Sequence, residues 1–321
     1  GTVPFDKIKT GDYVPAIREG IRRQNAEIEA IIRNPEVPTF ANTVLAYEKS
    51  GEMLHRVSTV FGNLLSAETD DDLQELAKEI MPMMSEHENN ISLNEELFAR
   101  IKAVYEQQDK ETLSPEQHKL LEDIYNGFVR NGANLLGEDK EKYRALCKEL
   151  SLLTLQFSEN NLKETNDYKL VITDKSQLAG LPESAVEAAA ETAGEKGVEG
   201  WVFTLQAPSY GPFLTYADSR DLRRELYMAH NTKCTHDNAS NNLEIVKKLA
   251  NVGMEIAQLL GYDNFAEYNL QERMAQNSES VYKLLDKLLE AYTPTAKQEY
   301  AEVQALARQA EGEDFVQMPW D

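Results

Sequence analysis

The sequence predicts a mainly α-helical protein, a large helical domain that carries a small inserted β-hairpin or sheet at about residues 168–216. Three observations support this fold class. Apolar residues recur every three or four positions along most of the chain, which is the period of one helix face. Only one region alternates apolar and polar residues, which is typical of a half-buried strand. Residues that favour helix starts and stops flank several of the periodic segments.

The predicted helices follow one another with short interruptions. Apolar residues stay on one face over 143–157 and again over 281–292. Ser114, Pro115 and Gln117 form a helix-start signal, because Ser caps the helix, Pro fits its first turn and Gln completes a capping box. The remaining helices are predicted at residues 12–33, 40–64, 71–87, 94–107, 114–131, 183–195, 219–230, 241–260 and 264–274.

The strand-like region contains two clear segments. Tyr168–Ile172 and Trp201–Leu205 alternate and are rich in β-branched or aromatic residues. Residues 207–212 contain two prolines and a glycine, which indicates a turn. The sequence therefore predicts a sheet of two or three strands, with the third at residues 213–216.

The chain has 321 residues, enough for one large or two ordinary domains. We interpret residues 1–321 as one helical region, subdivided into a helical part (1–167), a small sheet plus a helix (168–216) and a second helical part (217–321). No fixed-period repeat supports a solenoid. A disulfide framework is excluded by the two cysteines, and Cys147, at an apolar helix position, is predicted to be a small core residue.

The chain is strongly acidic, with a net charge of -22 from 55 acidic and 33 basic residues. Binding to nucleic acid depends on Lys and Arg that neutralise phosphates, so we expect no nucleic-acid partner. An anionic membrane surface is disfavoured for the same reason, and no apolar run is long enough for a transmembrane span. No signal peptide is recognised, and because the sequence starts at Gly1, cytoplasmic and periplasmic locations both stay open.

A helical zinc site needs two histidines one turn apart, with a glutamate beside the first. None of the five histidines is followed by another four residues later, so the motif H-E-x-x-H is absent. His87 is followed by Glu88, but Ile91 occupies the position of the second ligand. We therefore predict no catalytic, cofactor-binding or metal-binding residue in this chain.

One segment does concentrate residues that bind metals, namely His230, Cys234, His236 and Asp237. The first functional hypothesis is a zinc or copper site, and the second makes Cys234 a nucleophile with His236 as its base. The structural interpretation is a polar loop between two helices. We favour the loop, because structural zinc sites usually show paired C-x-x-C or H-x-x-x-H spacing.

Two further groups have both a functional and a structural interpretation. Asp70–Asp72 could perform acid–base chemistry, but they precede a helical pattern, where acidic side chains stabilise the helix N-terminus. Tyr210, Tyr216, Tyr262 and Tyr268 could line a peptide cleft, or be half-buried residues with a hydrated hydroxyl. We favour the structural interpretation for both groups.

Several segments resemble one known family in their order along the chain. Asn34-Pro-Glu-Val-Pro-Thr-Phe-Ala-Asn-Thr-Val44 is similar to the family stretch NPxxPTFxNT, and Pro319-Trp320-Asp321 resembles its PWD step. Further matching blocks are residues 4–9, 13–16, 61–69, 128–133, 155–160, 178–182, 216–220 and 260–262. The family is that of thimet oligopeptidase, a group of zinc metallopeptidases, and the match favours its branch of dipeptidyl carboxypeptidases and oligopeptidase A.

The resemblance implies a zinc peptidase that hydrolyses short peptides within a deep channel between two helical halves. The family's H-E-x-x-H motif and third ligand, a glutamate, then lie in a catalytic half outside these residues. In that mechanism zinc polarises the peptide carbonyl and activates a water, and the motif glutamate accepts its proton. Zinc is thus expected as the cofactor of a longer parent protein, and no cofactor is expected in this chain.

We therefore predict that the chain is the N-terminal, channel-wall portion of a peptidyl-dipeptidase that releases C-terminal dipeptides, and that it is inactive alone. Short peptides and the catalytic half are its expected partners. The alternative is a stand-alone helical scaffold that binds peptides or proteins without catalysis. A channel wall should also expose an apolar surface larger than that of an ordinary monomer, and we expect Trp320 to lack cover.

Overall fold

The computed structural model describes residues 3–108 and 112–321. Most of the described chain is α-helical, which confirms the mainly α prediction. None of its helices combines the length and the apolar character that a bilayer span requires. The α-helices, in order, are α1 (Tyr13–Ile32), α2 (Leu45–Glu48), α3 (Glu52–Ala67), α4 (Asp71–Ser92), α5 (Glu95–Glu106), α6 (Pro115–Arg130), α7 (Gly137–Asp167), α8 (Glu183–Glu195), α9 (Ala207–Tyr216), α10 (Arg220–Asn231), α11 (Leu243–Leu259), α12 (Phe265–Leu270) and α13 (Ser278–Glu311). Shorter turns are the 3₁₀ segments Phe5–Lys7, Thr10–Asp12 and Lys175–Leu178 and the π-helical turn Phe40–Val44.

The described chain contains one sheet of two antiparallel strands, β1 (Leu170–Ile172) and β2 (Trp201–Phe203). Leu170 pairs with Phe203, and Ile172 pairs with Trp201. The strand β1 alternates as predicted, since Leu170 and Ile172 are buried and Val171 is exposed. The predicted two-stranded sheet is therefore confirmed.

The predicted third strand at residues 213–216 is wrong, because these residues belong to α9. A proline in the first turn of α9, Pro208, is tolerated there since the first helical N–H groups have no partner within the helix. Phe213 is fully buried, and its ring meets that of Phe203 edge-on at a centroid distance of 4.6 Å. A four-residue alternation is too short to distinguish a strand from a helix whose aromatic residue is buried on one side.

The predicted helix-start signals are confirmed by their hydrogen bonds. The backbone N–H of Gln117 donates to Ser114 Oγ at 3.3 Å, and the Gln117 side chain accepts from Ser114 N at 2.9 Å. Asp70 caps α4, because its Oδ1 accepts from the backbone N–H of Leu73 at 2.7 Å. The acidic residues that follow Asp70 lie in the first turn of α4, so the structural interpretation of this cluster is confirmed.

The chain folds into two compact units. Unit 1 comprises Gly1–Leu155 and Lys248–Tyr268, and unit 2 comprises Gln156–Lys247 and Asn269–Asp321. These boundaries differ from the sequence-based subdivision at residues 167 and 216. That subdivision followed changes of periodicity, whereas a compact unit is defined by contacts between segments that are distant in sequence.

Unit 1 is held by two apolar clusters. The first joins α1, the π-helical turn, α4, α5, α6 and the turn after α6 through Ile28, Ile31, Phe40, Val44, Ile91, Leu97, Phe98, Ile101, Val104, Leu121, Ile124, Phe128 and Ala133. The second joins α1, α3 and α4 through Tyr13, Ile17, Leu54, Phe61, Leu73, Ala77 and Ile80. The stripe of α1 therefore contributes to both clusters, and we expect this helix to be central to the stability of the unit.

Unit 2 has one apolar cluster around the small sheet. Its buried members are Leu170, Ile172, Leu178, Ala189, Phe203, Leu205, Phe213, Ala217 and Leu226. The long helix α13 contributes no residue to this cluster, and none of its residues is buried. The apolar residues of α13 between 282 and 292 are exposed.

Gly20 allows α1 to approach α3 closely. A Cβ atom added at this glycine would lie 2.9 Å from the Cα atom of Leu54, which real Cβ contacts essentially never show. Leu54 is itself buried, so neither helix can shift without disturbing the second cluster of unit 1. Gly62, in the interior of α3, has no such neighbour within 4 Å.

We predict that two glycine-to-alanine substitutions have opposite effects on stability. Gly20→Ala should lower the free energy of unfolding of unit 1 by about 1–3 kcal/mol, because overpacking costs more than the gain in helix propensity. Gly62→Ala is the matched control, and it should raise this free energy by about 0.5–1 kcal/mol, because only the propensity changes. Urea unfolding followed by circular dichroism measures both values. A change of the free energy of unfolding in the same direction for both variants would contradict the close approach of α1 to α3.

Candidate functional site

The segment rich in metal-type ligands comprises the last turn of α10, which contains His230, and the loop that follows this helix. The His230 ring stacks on Tyr210 at a centroid distance of 4.3 Å, and Cys234 is buried. His236 lies elsewhere in the loop, where its Nδ1 is 3.7 Å from Glu164 Oε2. Across the described residues, no group of three His, Cys, Asp or Glu side chains is arranged to hold a metal ion.

Glu164 of α7 organises this loop. Its carboxylate accepts hydrogen bonds from the backbone N–H of Cys234 and from Asn238 Nδ2, the latter at 2.7 Å. Burial tends to raise the pKa of Glu164, but these hydrogen bonds outweigh burial and the pKa is lowered. The carboxylate therefore stays ionised and fastens the loop to α7.

The loop geometry does not favour a cysteine nucleophile. Both ring nitrogens of His236 face other groups, since Nδ1 lies near Glu164 and Nε2 is 3.3 Å from Thr232 Oγ1. Burial, followed by the charge of Glu164, raises the pKa of Cys234. A raised pKa lowers the fraction of thiolate, which is the nucleophilic form.

A pair of polar residues interrupts the apolar stripes of α1 and α4. Gln24 lies on the stripe that contains the buried Ile17 and Ile28, and His87 lies on the stripe that contains Ile80 and Ile91. The two side chains meet, with His87 Nε2 at 2.8 Å from Gln24 Oε1. Because an amide oxygen only accepts, Nε2 carries the hydrogen. Burial lowers the pKa of His87, so the imidazole is held in its neutral form.

These two residues border a cleft of about 1170 Å³ that lies within unit 1. Cys147 lines it too, together with Tyr143 and the buried Asn89. Cys147 is only half-buried and belongs to none of the apolar clusters, so the prediction of a core residue is wrong. The apolar period of α7 predicts which side of the helix is apolar, but not how deeply each residue on that side is buried.

The four tyrosines proposed for a peptide cleft belong to different units. In unit 1, the rings of Tyr262 and Tyr268 meet edge-on at 5.2 Å, and the guanidinium of Arg130 lies 4.5 Å from the Tyr268 ring centroid. In unit 2, Tyr210 stacks on His230 and Tyr216 is exposed. Each pair thus has its own local surroundings.

The residues that follow α13, 312–321, are here called the return segment, and they are fastened to α10. Arg220 Nε and Nη2 both donate to the Asp321 carboxylate at 2.7 Å. Arg223 donates to the backbone oxygens of Trp320 at 2.7 Å and of Ala217 at 2.6 Å. The hydrogen bond from Arg220 lowers the pKa of Asp321, so this carboxylate stays ionised at neutral pH.

The return segment also places Trp320 against α10. Its ring meets Tyr227 edge-on at a centroid distance of 5.9 Å, and the guanidinium of Arg224 lies 5.6 Å from the ring centroid. The expectation that Trp320 lacks cover is therefore wrong. Residues of α10, which are distant in sequence, provide that cover.

Comparisons with known proteins agree with the resemblance of the sequence blocks. A family model described as "Peptidase family M3" matches residues 213–321. The dipeptidyl carboxypeptidase of Escherichia coli strain K12 is 36% identical over 318 residues, which cover 99% of this chain and 46% of that protein. Oligopeptidase A of Haemophilus influenzae is 30% identical over 325 residues, which cover 100% of this chain and 47% of that protein.

The chain belongs to peptidase family M3. The family predicted from the sequence is therefore confirmed. This M3 chain spans about half the length of the curated relatives that it matches. The activities in the names of those relatives therefore belong to proteins about twice as long as this chain.

Two features of the M3 chain were not predicted from the sequence, although each left a signal there. Gln24 and His87 are polar residues at apolar positions of a helical stripe, which indicates a buried polar pair. Arg220 and Asp321 each lie in a block that resembles the family, and the structure joins the two blocks by a salt bridge. Neither signal identifies the residue with which each side chain pairs, because the two members of each pair are distant in sequence.

We predict that Arg223 keeps the return segment in place. Arg223→Met removes hydrogen bonds from a charged donor, each of which contributes about 1.5–3 kcal/mol. In a Trp201→Phe background, which leaves Trp320 as the reporter, the substitution should increase quenching of fluorescence by acrylamide. Arg33→Met, at an exposed position of unit 1, is the control and should leave quenching unchanged. Unaltered quenching in the Arg223 variant would show that the segment is held otherwise.

We also predict a pH dependence that arises from His87. Its folded-state pKa lies below the unfolded value, so the unfolded chain binds the proton more readily. The stability contribution is complete above the unfolded pKa, about 6.5, and is lost as the pH falls below it. Urea unfolding of the His87→Gln variant between pH 7.5 and pH 5.5 should show less loss of stability than the parent chain. His55→Gln, at an exposed position, should behave like the parent; a parent-like His87 variant would refute this origin.

Proposed function

We propose that this chain is the helical N-terminal part of a zinc metallopeptidase that acts on short peptides, and that the complete enzyme is a peptidyl-dipeptidase. The main support is the 36% identity to the E. coli dipeptidyl carboxypeptidase, which extends over 99% of the chain. The identity to oligopeptidase A is lower, at 30%. This difference favours release of C-terminal dipeptides over internal cleavage.

The residues of this chain do not fit a zinc site. The sequence lacks H-E-x-x-H, and the described part of the structure contains no suitable group of His, Cys, Asp or Glu side chains. A tetrahedral catalytic site needs three protein ligands that converge on the ion. In this proposal zinc therefore belongs to the other half of the enzyme, and the chain alone hydrolyses no peptide.

The chain would contribute a wall of the peptide channel. Its helices are rigid elements held by dense apolar clusters, as expected of a surface that positions a substrate. The cleft of unit 1 offers amide, hydroxyl and imidazole groups from Gln24, Ser50 and His87, which could bond to a peptide backbone. Short peptides are the proposed ligands, because an extended main chain presents unpaired donors and acceptors.

A chimera tests this proposal. In the E. coli relative, the 318 aligned residues are replaced by this chain, and the remainder is kept. We expect the chimera to release dipeptides from an N-terminally blocked oligopeptide, to lose activity with a chelator, and to recover it with zinc. Mass spectrometry identifies the products.

Two controls define what would contradict the proposal. The chimera with the motif glutamate of H-E-x-x-H replaced by glutamine should be folded but inactive. The chain alone should be inactive with and without zinc, so zinc-dependent hydrolysis by it would overturn the assignment of the chemistry to the other half. Products of internal cleavage by the chimera would contradict the assignment as a peptidyl-dipeptidase and indicate an oligopeptidase.

A further inference from the structure

The helix α13 is long and has no cover over most of its length. It spans 34 residues, Ser278–Glu311, and none of them is buried. Residues 282–292 are all exposed in the described structure. At the rise of an α-helix, the whole element extends over roughly 50 Å. An isolated helix is marginally stable in water, so a helix of this kind normally depends on packing.

The exposed side chains of α13 form an apolar face rather than a random scatter. Val281, Leu285, Leu288 and Tyr292 follow one another at steps of four, three and four residues, which places them on one side of the helix. Tyr282, Leu284 and Leu289 flank this line. The exposed fractions of Leu285, Leu289 and Tyr292 are 52%, 67% and 67%. The opposite side carries charged residues, namely Lys283, Asp286, Lys287 and Glu290.

Among the described residues, the return segment is hydrogen-bonded to the last third of this helix. Gln304 Nε2 donates to Phe315 O at 2.9 Å, and Gln317 N donates to Gln304 Oε1 at 2.8 Å. The return segment thus lies beside the last turns of α13 and leaves residues 282–292 exposed. A contiguous apolar face of this kind marks an interaction surface.

We propose that the apolar face of α13 docks against the remaining half of the M3 peptidase chain. The proposal rests on the proposed function, which places the zinc-bearing half in the same enzyme. The family model matches residues 213–321 and so includes all of α13, which makes this helix part of the sequence pattern that defines the family. The relatives contain about as much chain again as the aligned part, enough to supply the missing cover.

A second copy of this chain is a less suitable occupant. Each copy carries a net charge of -22, so two copies repel one another as they approach. The other half of a single polypeptide needs no such approach, because it is tethered and its effective concentration is high. Its matching surface should be an apolar groove that accepts one face of a helix, with polar groups opposite Lys283 and Glu290.

Hydrogen exchange of the residues 282–292 tests the docking. In the chain alone these amides should exchange rapidly, and in the chimera described above they should exchange at least tenfold more slowly. The double substitution Leu285→Ser with Leu289→Ser should restore rapid exchange in the chimera. Lys283→Ser with Lys287→Ser is the matched control on the charged side, has the same replacement residue, and should keep the slow exchange.

The outcomes distinguish between the remaining half of the chain and a second copy as the partner of the α13 face. Equal exchange in the chain and the chimera, or equal effects of the two double substitutions, would overturn the docking surface. Slow exchange in the chain alone that strengthens with concentration, together with a dimer in analytical ultracentrifugation, would assign the face to a second copy and overturn the proposed occupant. Peptide hydrolysis is read separately: a docked but inactive chimera contradicts the proposed function only, and an active chimera with unprotected residues 282–292 contradicts the docking only.

Discussion

Burial of the apolar stripes of amphipathic helices is the constraint on which both units depend. In unit 1 the stripe of α1 is shared between two clusters, and Gly20 lets α3 approach closely enough to cover it. In unit 2 the small sheet plays the same part, because β1 and β2 give α9 a surface on which Phe213 is fully buried. The helix α13 has a stripe of the same kind but no such surface in the described chain. The helix α13 therefore differs from the other amphipathic helices in that its apolar stripe is not buried.

Polar groups inside an apolar stripe must satisfy one another. Gln24 and His87 do so across α1 and α4, beside the cleft of unit 1. A buried donor or acceptor without a partner would cost about 1–3 kcal/mol, so these two residues depend on one another.

The return segment connects two of the sequence blocks that resemble the family. The blocks at 216–220 and 319–321 resemble the family separately, yet Arg220 and Asp321 bind each other directly. Arg223 adds hydrogen bonds to backbone oxygens of both blocks. Neither block could change alone without leaving a charged partner unpaired. The return segment is also hydrogen-bonded to Gln304 of α13 through Phe315 and Gln317.

The sequence alone determined the features that are local. The helical period, the cap at Ser114, the acidic first turn of α4, the two strands and the family blocks each depend on neighbouring residues, and each is confirmed. The tertiary structure decided what depends on distant partners. Residues 207–216 are helical because Phe213 is buried against β2, and Trp320 is covered because α10 lies beside it. Periodicity tells which side of a helix is apolar, but only the packing of other segments decides whether, and by what, that side is covered.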